Sequence, residues 1–300
     1  MTDDFDRWRR EGRTFRHAGH AVFYRTEGEG PALVAIHGFP SASWDWHPMW
    51  PELVARFRVV APDMIGFGWS DKPRRHAYSI LDQATLHEEL LRQLGIDRVH
   101  ILAHDYGDTV AQELAARQED RARAGDNGLA IESICFLNGG LFPEAHRPTK
   151  VQRILAGPFG CLAERLISKG GFARGLTQVF GPRTPPSPAL VDELWTLLRH
   201  ADGHLVVHRL IGYMAERRRQ RERWVGVLQR TRIPLRVIDG ALDPVSGAHM
   251  VARYREIVPD ADAVELPHVG HYPHVEDPPA VVDAFLAFHA RLAGRPQAHE

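Results

Sequence analysis

The sequence predicts an α/β fold with a mostly parallel, doubly wound sheet and an inserted helical lid. Two observations support this fold class. Short apolar runs that end in small or polar residues alternate with amphipathic stretches of helical period. The alternation stops between residues 141 and 230, where glycine and proline cluster and strand-like runs are scarce. We therefore assign residues 1–140 and 231–300 to the α/β core and residues 141–230 to a helical cap.

Short apolar runs are predicted to be buried strands of this sheet. A parallel strand that is covered on both faces is apolar throughout rather than alternating. The runs occupy residues 33–36, 59–61, 99–103, 133–137, 235–238 and 263–266. Residues 79–94 predict a helix between two of them, because Leu86 and Leu90 share a face, Ser79 can cap the start and Gly95 follows the end. The last helix is expected to begin at the proline pair 278–279.

Composition and charge exclude several classes of protein. The 300 residues contain 37 Lys plus Arg against 38 Asp plus Glu, a net charge of −1, so the basic excess of a nucleic-acid-binding protein is missing. The charged run at residues 216–223 also contains Glu and Gln, and we interpret it as a solvated helix face. Cys135 and Cys161 cannot form a disulfide scaffold or a zinc site by themselves. With no signal-like or membrane-spanning apolar run, a cytoplasmic location is expected.

Residues 99–114, VHILAHDYGDTVAQEL, carry the most specific pattern. An apolar strand leads into a turn with the small residues Ala103 and Gly107 and then into an amphipathic helix. The nucleophile elbow of α/β-hydrolases has this arrangement, with the pattern GxSxG. Here Asp105 stands where the serine would be. A carboxylate aligned with an sp3 carbon that bears a leaving group can displace that group and form an alkyl ester on the enzyme.

Hydrolysis of such an ester requires a histidine that activates water and an acid that orients this histidine. The predicted histidine is His271, in the loop before the last helix, and the predicted acid is Asp243, just after an apolar run. Nucleophile, acid and histidine then follow one another in the order typical of α/β-hydrolases. Asn138 and Glu144 are the reserve candidates for the acid position, because they follow the preceding predicted strand.

The tetrahedral intermediate of this hydrolysis needs two backbone NH donors. The segment HGFP at residues 37–40 follows a buried strand. We predict that the NH groups of Phe39 and Tyr106 form the oxyanion hole.

The same motifs form part of a wider set: HGFP at residues 37–40, DMIGFGWSDKP at 63–73, HDYGDTVAQEL at 104–114, LDP at 242–244 and GHYP at 270–273. This set resembles the epoxide hydrolase and haloalkane dehalogenase branch of the α/β-hydrolase superfamily. Further segments resemble the mesoderm-specific transcript homologue group: NGGLFPEAHRP at 138–148, RGLTQVFGP at 174–182 and RWVG at 223–226. The resemblance spans roughly residues 13–290 and implies an α/β-hydrolase fold and hydrolase chemistry.

The residues expected to assist the leaving group differ from those of both haloalkane dehalogenases and epoxide hydrolases. Haloalkane dehalogenases hold the halide with a Trp beside the nucleophile and usually an Asn or a second Trp, whereas this chain has Tyr106 and Phe39 there. Epoxide hydrolases use two lid tyrosines, one of them in a WY pair that here reads Trp224-Val225. Tyr213 is the only tyrosine between residues 141 and 230, so at most one lid phenol is expected.

Polar and aromatic side chains near these motifs are candidates for the substrate pocket. An arginine such as Arg147 could hold an anionic substrate group. Burial in the core would equally explain the tryptophans. The candidates are His37, Trp44, His146, Arg147, Trp195, Tyr213 and Trp224.

The predicted function is that of a hydrolase that acts on a small molecule without cofactor or metal. Epoxide opening through an ester on Asp105 is favoured. Dehalogenation of a haloalkane or haloacid is the first alternative. A protein that kept the fold and binds a ligand or partner without catalysis is the second. We expect a monomer or homodimer.

Overall fold

The computed structural model describes residues 2–294. One sheet contains eight strands in the order β1-β2-β4-β3-β5-β6-β7-β8. β2 pairs antiparallel with β1 and β4, and every other pair of neighbours is parallel. The strands are β1 (Arg13–His17), β2 (His20–Glu27), β3 (Ala32–Ile36), β4 (Arg58–Pro62), β5 (Arg98–His104), β6 (Ala130–Leu137), β7 (Leu235–Gly240) and β8 (Ala263–Leu266).

All six predicted strands are present, and the two that the pattern does not predict form the hairpin at the sheet edge. β1 has exposed residues at three of its five positions, so it lacks the apolar run that marks a buried strand.

The helices occupy both faces of the sheet and the segment between β6 and β7. They are α1 (Asp3–Arg10), α2 (Trp50–Val54), α3 (Ile80–Gln93), α4 (Tyr106–Ala124), α5 (Lys150–Leu155), α6 (Gly160–Ala163), α7 (Lys169–Val179), α8 (Pro188–Arg199), α9 (Val207–Leu210), α10 (Tyr213–Arg219), α11 (Arg221–Arg230), α12 (Ala248–Ile257), α13 (Pro273–Glu276) and α14 (Pro278–Ala293). Ser79 caps α3 as predicted, since its side chain accepts from the NH of Asp82.

Residues on β3 show why the sheet is doubly wound. Leu33 and Ala35 belong to one buried cluster, while Val34 and Ile36 belong to another. Because successive side chains of a strand point to opposite faces, both faces of the sheet are covered. The predicted α/β fold class is confirmed.

Residues 141–230, which we call the cap segment, follow the carboxyl end of β6 and lead back to the amino end of β7. All of the described strands lie outside this segment. The loops after β3, β5, β6 and β7 meet at the same edge of the sheet, where open α/β sheets bind their ligands. None of the described helices is both long and apolar enough to cross a membrane.

Candidate active site

Asp105 lies directly after the central strand β5 and starts α4. Its backbone has φ 48° and ψ −102°, an unusual conformation for a residue with a side chain. A Cβ on Gly107 would lie 2.3 Å from the carbonyl oxygen of Ile36, so only glycine permits this approach of α4 to β3. The Asp105 side chain is almost completely buried. The strained turn therefore holds a carboxylate at the carboxyl edge of the sheet.

The loop after β3 supplies an NH donor to this carboxylate. The NH of Phe39 donates to Oδ2 of Asp105 at 3.1 Å. The His37 side chain also stabilises this loop. Its Nδ1 donates to the carbonyl of Gly38 at 2.8 Å, and its Nε2 accepts from the NH of Met64 at 3.0 Å. Burial lowers the pKa of His37 to about 4, which suits an imidazole with one donor and one acceptor.

The second predicted NH donor belongs to Tyr106. It is the first residue of α4, and the first NH groups of a helix have no acceptor within that helix. This NH group is consequently available for an oxyanion.

His271 and Asp243 lie in contact beyond β8 and β7. Nδ1 of His271 is 2.7 Å from Oδ2 of Asp243. Asp243 also accepts from the NH of Val245 at 2.7 Å and the hydroxyl of Ser246 at 2.8 Å. Asn138 Nδ2 donates to Asp243 at 3.2 Å, so this reserve candidate for the acid supports Asp243.

Electrostatics make this contact an ion pair. Burial disfavours charge on Asp243, but His271 and the surrounding donors outweigh it and lower the pKa of the carboxyl group. Burial also opposes protonation of His271, yet the carboxylates of Asp243 and Asp105 raise its pKa to about 9. At neutral pH the site thus contains an imidazolium between two acidic side chains.

Arg217 on α10 also contacts Asp105. Its guanidinium donates to the backbone oxygen of Asp105 at 3.0 Å and to the hydroxyl of Thr109 at 2.6 Å. Nη2 lies 3.8 Å from Oδ1 of Asp105, and the Arg217 side chain is 3% exposed. The interpretation of residues 216–223 as a solvated face is therefore wrong for Arg217, although Arg218 and Arg219 are exposed.

Tyr213, one helical turn before Arg217, brings a phenol to the same place. Its ring packs against Tyr106 with centroids 4.9 Å apart, and the Arg217 guanidinium lies 4.5 Å from its centroid. The buried hydroxyl has no hydrogen-bond partner within residues 2–294. Burial and the nearby charge of Asp105 raise the pKa of Tyr213, so the phenol keeps its proton at neutral pH.

The site therefore contains three elements: a strained elbow with an acidic side chain, an NH donor from the loop after β3, and a histidine–aspartate pair. The sequence profile of the alpha/beta hydrolase fold family matches residues 31–125. The mesoderm-specific transcript protein of Mus musculus is 42% identical over 292 residues, which cover 94% of this chain and 86% of that protein. The chain belongs to the α/β-hydrolase superfamily.

Solved structures show the same fold at lower identity. The epoxide hydrolase CorEH has a TM-score of 0.76 at 23% identity, with 94% of this chain and 99% of that one covered. A loop variant of the haloalkane dehalogenase DbeA from Bradyrhizobium elkanii also has a TM-score of 0.76, at 20% identity over 94% and 97% of the two chains. The predicted superfamily is confirmed, and the family fold supports a hydrolase.

A cavity of about 390 Å³ in this α/β-hydrolase connects the site to the cap segment. Phe39, Val245 and His271 line its inner end. The cap contributes mostly apolar side chains from α5 and α7 and the residues between them, including Leu155 and Phe172. Its walls suit an apolar substrate.

The remaining pocket candidates of the hydrolase lie in different places. His146 lies near Arg217, since a Cβ on Gly140 would contact both side chains. Burial and the charges of Arg217 and His271 lower the pKa of His146 to about 3. Arg147 is exposed, whereas the buried Arg217 contacts Asp105. Glu144, the other reserve acid, pairs with Arg221 at the surface.

Trp44 and Trp224 fill the protein interior and Trp195 is half-buried, and none of the three lines this cavity. Trp44 donates to Glu193 at 3.1 Å and Trp224 donates to Glu113 at 2.8 Å. Trp195 packs against Phe172 with ring centroids 5.8 Å apart. The structure therefore favours burial as the reason for these side chains, because their indole NH groups or rings contact other residues.

Asp45, His104 and His274 are the group best placed to hold a metal. One ligand atom of each lies within 4.8 Å of the others, and all three are fully buried. Nε2 of His104 also donates to the carbonyl of His271 at 2.8 Å. Burial raises the pKa of Asp45 to about 8 and lowers that of His274 to about 3, so neutral forms are favoured. A neutral imidazole can still bind a metal, but a protonated Asp45 carboxyl group is a poor ligand, so packing behind His271 is the favoured role of this cluster.

Proposed function

We propose that this protein is a cofactor-independent hydrolase that opens a small apolar epoxide through an alkyl ester on Asp105. The observation that carries the proposal is the carboxylate at the strained elbow, in reach of the Phe39 NH. A carboxylate at this position favours displacement at an sp3 carbon rather than acyl transfer.

In the first step, an Asp105 oxygen forms a bond to an epoxide carbon and the carbon–oxygen bond of the ring breaks. The ring oxygen takes the proton of the Tyr213 hydroxyl, which is buried beside the nucleophile. Loss of the Asp105 charge removes one of the charges that raise the pKa of His271. The imidazolium then releases its proton, which solvent returns to the Tyr213 phenolate.

In the second step, neutral His271 takes a proton from water, and the oxygen of that water attacks the ester carbonyl of Asp105. The NH groups of Phe39 and Tyr106 stabilise the oxyanion. Collapse of the intermediate expels the alkoxide, which takes the proton from the new carboxyl group. Asp105 is again ionised and His271 protonated, so the product is a diol and the resting ion pair is restored.

Trapping the ester tests this mechanism. His271→Gln should form the ester without hydrolysing it, so intact mass spectrometry of the variant incubated with apolar epoxides should find an adduct that maps to Asp105. The double variant Asp105→Asn/His271→Gln is the control and should remain unmodified. An absence of adducts across a broad panel of epoxides and haloalkanes, combined with tight ligand binding, would support the non-catalytic alternative.

Tyr213→Phe separates epoxide opening from dehalogenation. A halide leaves as an anion and needs no proton, whereas an epoxide oxygen does. We therefore expect adduct formation in Tyr213→Phe/His271→Gln to slow about a hundredfold with epoxides and to change little with alkyl halides. If His271→Gln and Tyr213→Phe/His271→Gln form the epoxide adduct at equal rates, Tyr213 does not supply the proton.

A further inference from the structure

Exposed large apolar side chains are concentrated in one part of the cap segment. Five of the seven such residues in the described chain lie between residues 151 and 166. Phe159 is 72% exposed and Leu166 is 82% exposed. We call this surface the cap face, and its apolar members are Val151, Ile154, Phe159, Leu162 and Leu166. Grouped apolar side chains of this kind mark an interaction surface, whereas scattered ones do not.

The cap face is continuous with the substrate cavity. Val151, Ile154 and Leu166 line the cavity and are also exposed to solvent. Leu162 lies on α6 and Phe159 is the residue just before it, and α6 contacts α5. The apolar wall of the cavity thus extends outward onto the surface.

Charge on this surface is of one sign. Lys150, Arg153, Arg165 and Arg174 are exposed, and none makes an ion pair with another residue of the described chain. Lys169 pairs with Asp192 at 2.7 Å. The one acidic residue among residues 149–175, Glu164, is buried and bonded to His208 at 2.6 Å. The cap face is basic although the whole chain has a net charge of −1.

We propose that the cap face docks on an anionic lipid surface. Apolar side chains flanked by lysine and arginine on short helices are the pattern that lies in a membrane interface, with the apolar groups among the acyl chains and the cations at the headgroups. A symmetric contact with a second copy would bring the same unpaired cations together, which disfavours a dimer through this face. Docking places the mouth of the cavity against the bilayer.

Vesicle flotation of the full-length protein tests the proposal without any substrate, so its outcome is independent of the hydrolase mechanism. The protein should bind vesicles of phosphatidylcholine mixed with phosphatidylserine much better than vesicles of phosphatidylcholine alone, and added salt should weaken the binding. Phe159→Ser/Leu166→Ser should lower the partition coefficient at least about tenfold. Arg153→Gln/Arg165→Gln should reduce the preference for phosphatidylserine, because it removes two of the four unpaired cations.

Leu81→Ser provides the matched control, because Leu81 is an exposed leucine on α3, outside the cap face. The partition coefficient of Leu81→Ser should equal that of the wild type. Thermal melting verifies that every variant is folded. Absence of binding by the wild type, or equal binding by Phe159→Ser/Leu166→Ser, overturns the proposal. The proposal is also overturned if sedimentation shows that the wild type is a dimer and that Phe159→Ser/Leu166→Ser is a monomer.

Discussion

At the residue scale, Arg217 gives the site a fixed cation that few sequence patterns would reveal. Its bonds to Thr109 and to the backbone of Asp105 hold the guanidinium beside the elbow. It also lowers the otherwise raised pKa of the buried Asp108 carboxyl group, where burial is the main cause of the increase. The cation therefore offsets the crowding of acidic side chains around Asp105.

Removal of this cation should impair both folding and chemistry. Arg217→Gln should lower the melting temperature, because truncating one partner of a buried charge pair is strongly destabilising. It should also slow ester formation at least about tenfold, because the Arg217 bonds to Thr109 and to the backbone of Asp105 position the elbow. Stopped-flow rates of adduct formation and thermal melting measure the two effects. Arg218→Gln is the control, since Arg218 is the exposed neighbour in the same run. A rate for Arg217→Gln equal to that of the control would leave Arg217 with a purely structural role.

At the scale of elements, Glu276 of α13 links the histidine loop to the end of α7. Its carboxylate accepts from the NH groups of Gly270 at 2.9 Å, Tyr272 at 3.0 Å and Gly181 at 2.7 Å. The NH of His271 donates to the carbonyl of Val179 at 2.8 Å. The cap segment thus positions the loop that carries His271.

Loosening this link should affect the two chemical steps unequally. Glu276→Gln replaces one acceptor oxygen by a donor and leaves buried NH groups without a partner. We expect ester hydrolysis, which needs His271, to slow more than ester formation, so the Asp105 ester should accumulate during turnover. Quenched-flow mass spectrometry measures the fraction of esterified enzyme. A proportional loss of both rates would indicate general destabilisation instead.

At the scale of the whole molecule, the buried pair of His271 and Asp243 makes stability depend on pH. The pKa of His271 is raised from 6.5 to about 9, so its contribution is complete below pH 6.5 and is lost as the pH rises through about 9. The pKa of Asp243 is lowered from 3.8, so its contribution is present above that pH and is lost in more acidic solution. The pair stabilises the fold most in the mildly acidic range.

Thermal melting between pH 6.5 and pH 9 measures this dependence. The melting temperature of the wild type should fall across the range as His271 loses its proton. His271→Gln carries no titrating group at this position, and its melting temperature should fall less. Parallel curves for the two proteins would show that other groups control the pH dependence.

The local pattern of the chain is sufficient to predict the fold class and to select three residues that the structure brings to one edge of the sheet. Asp105, Asp243 and His271 each follow a predicted strand, and parallel strands bring their carboxyl ends to one edge. The residues that surround them were harder to predict, since Arg217 lies in a charged run and its burial depends on how α10 packs. The four-residue spacing from Tyr213 was the available signal, because residues so spaced share a helix face.

By itself, the sequence determined the α/β fold class, the superfamily and the carboxylate at the elbow, because strand periodicity and a strained turn are local properties of the chain. Only the tertiary structure decided that Asn138 supports Asp243, that Arg217 rather than Arg147 reaches the site, and that Trp44 and Trp224 fill the interior. It also revealed the exposed apolar side chains of the cap face. These features depend on which surfaces of distant segments meet, and contacts between distant segments are not encoded in local periodicity.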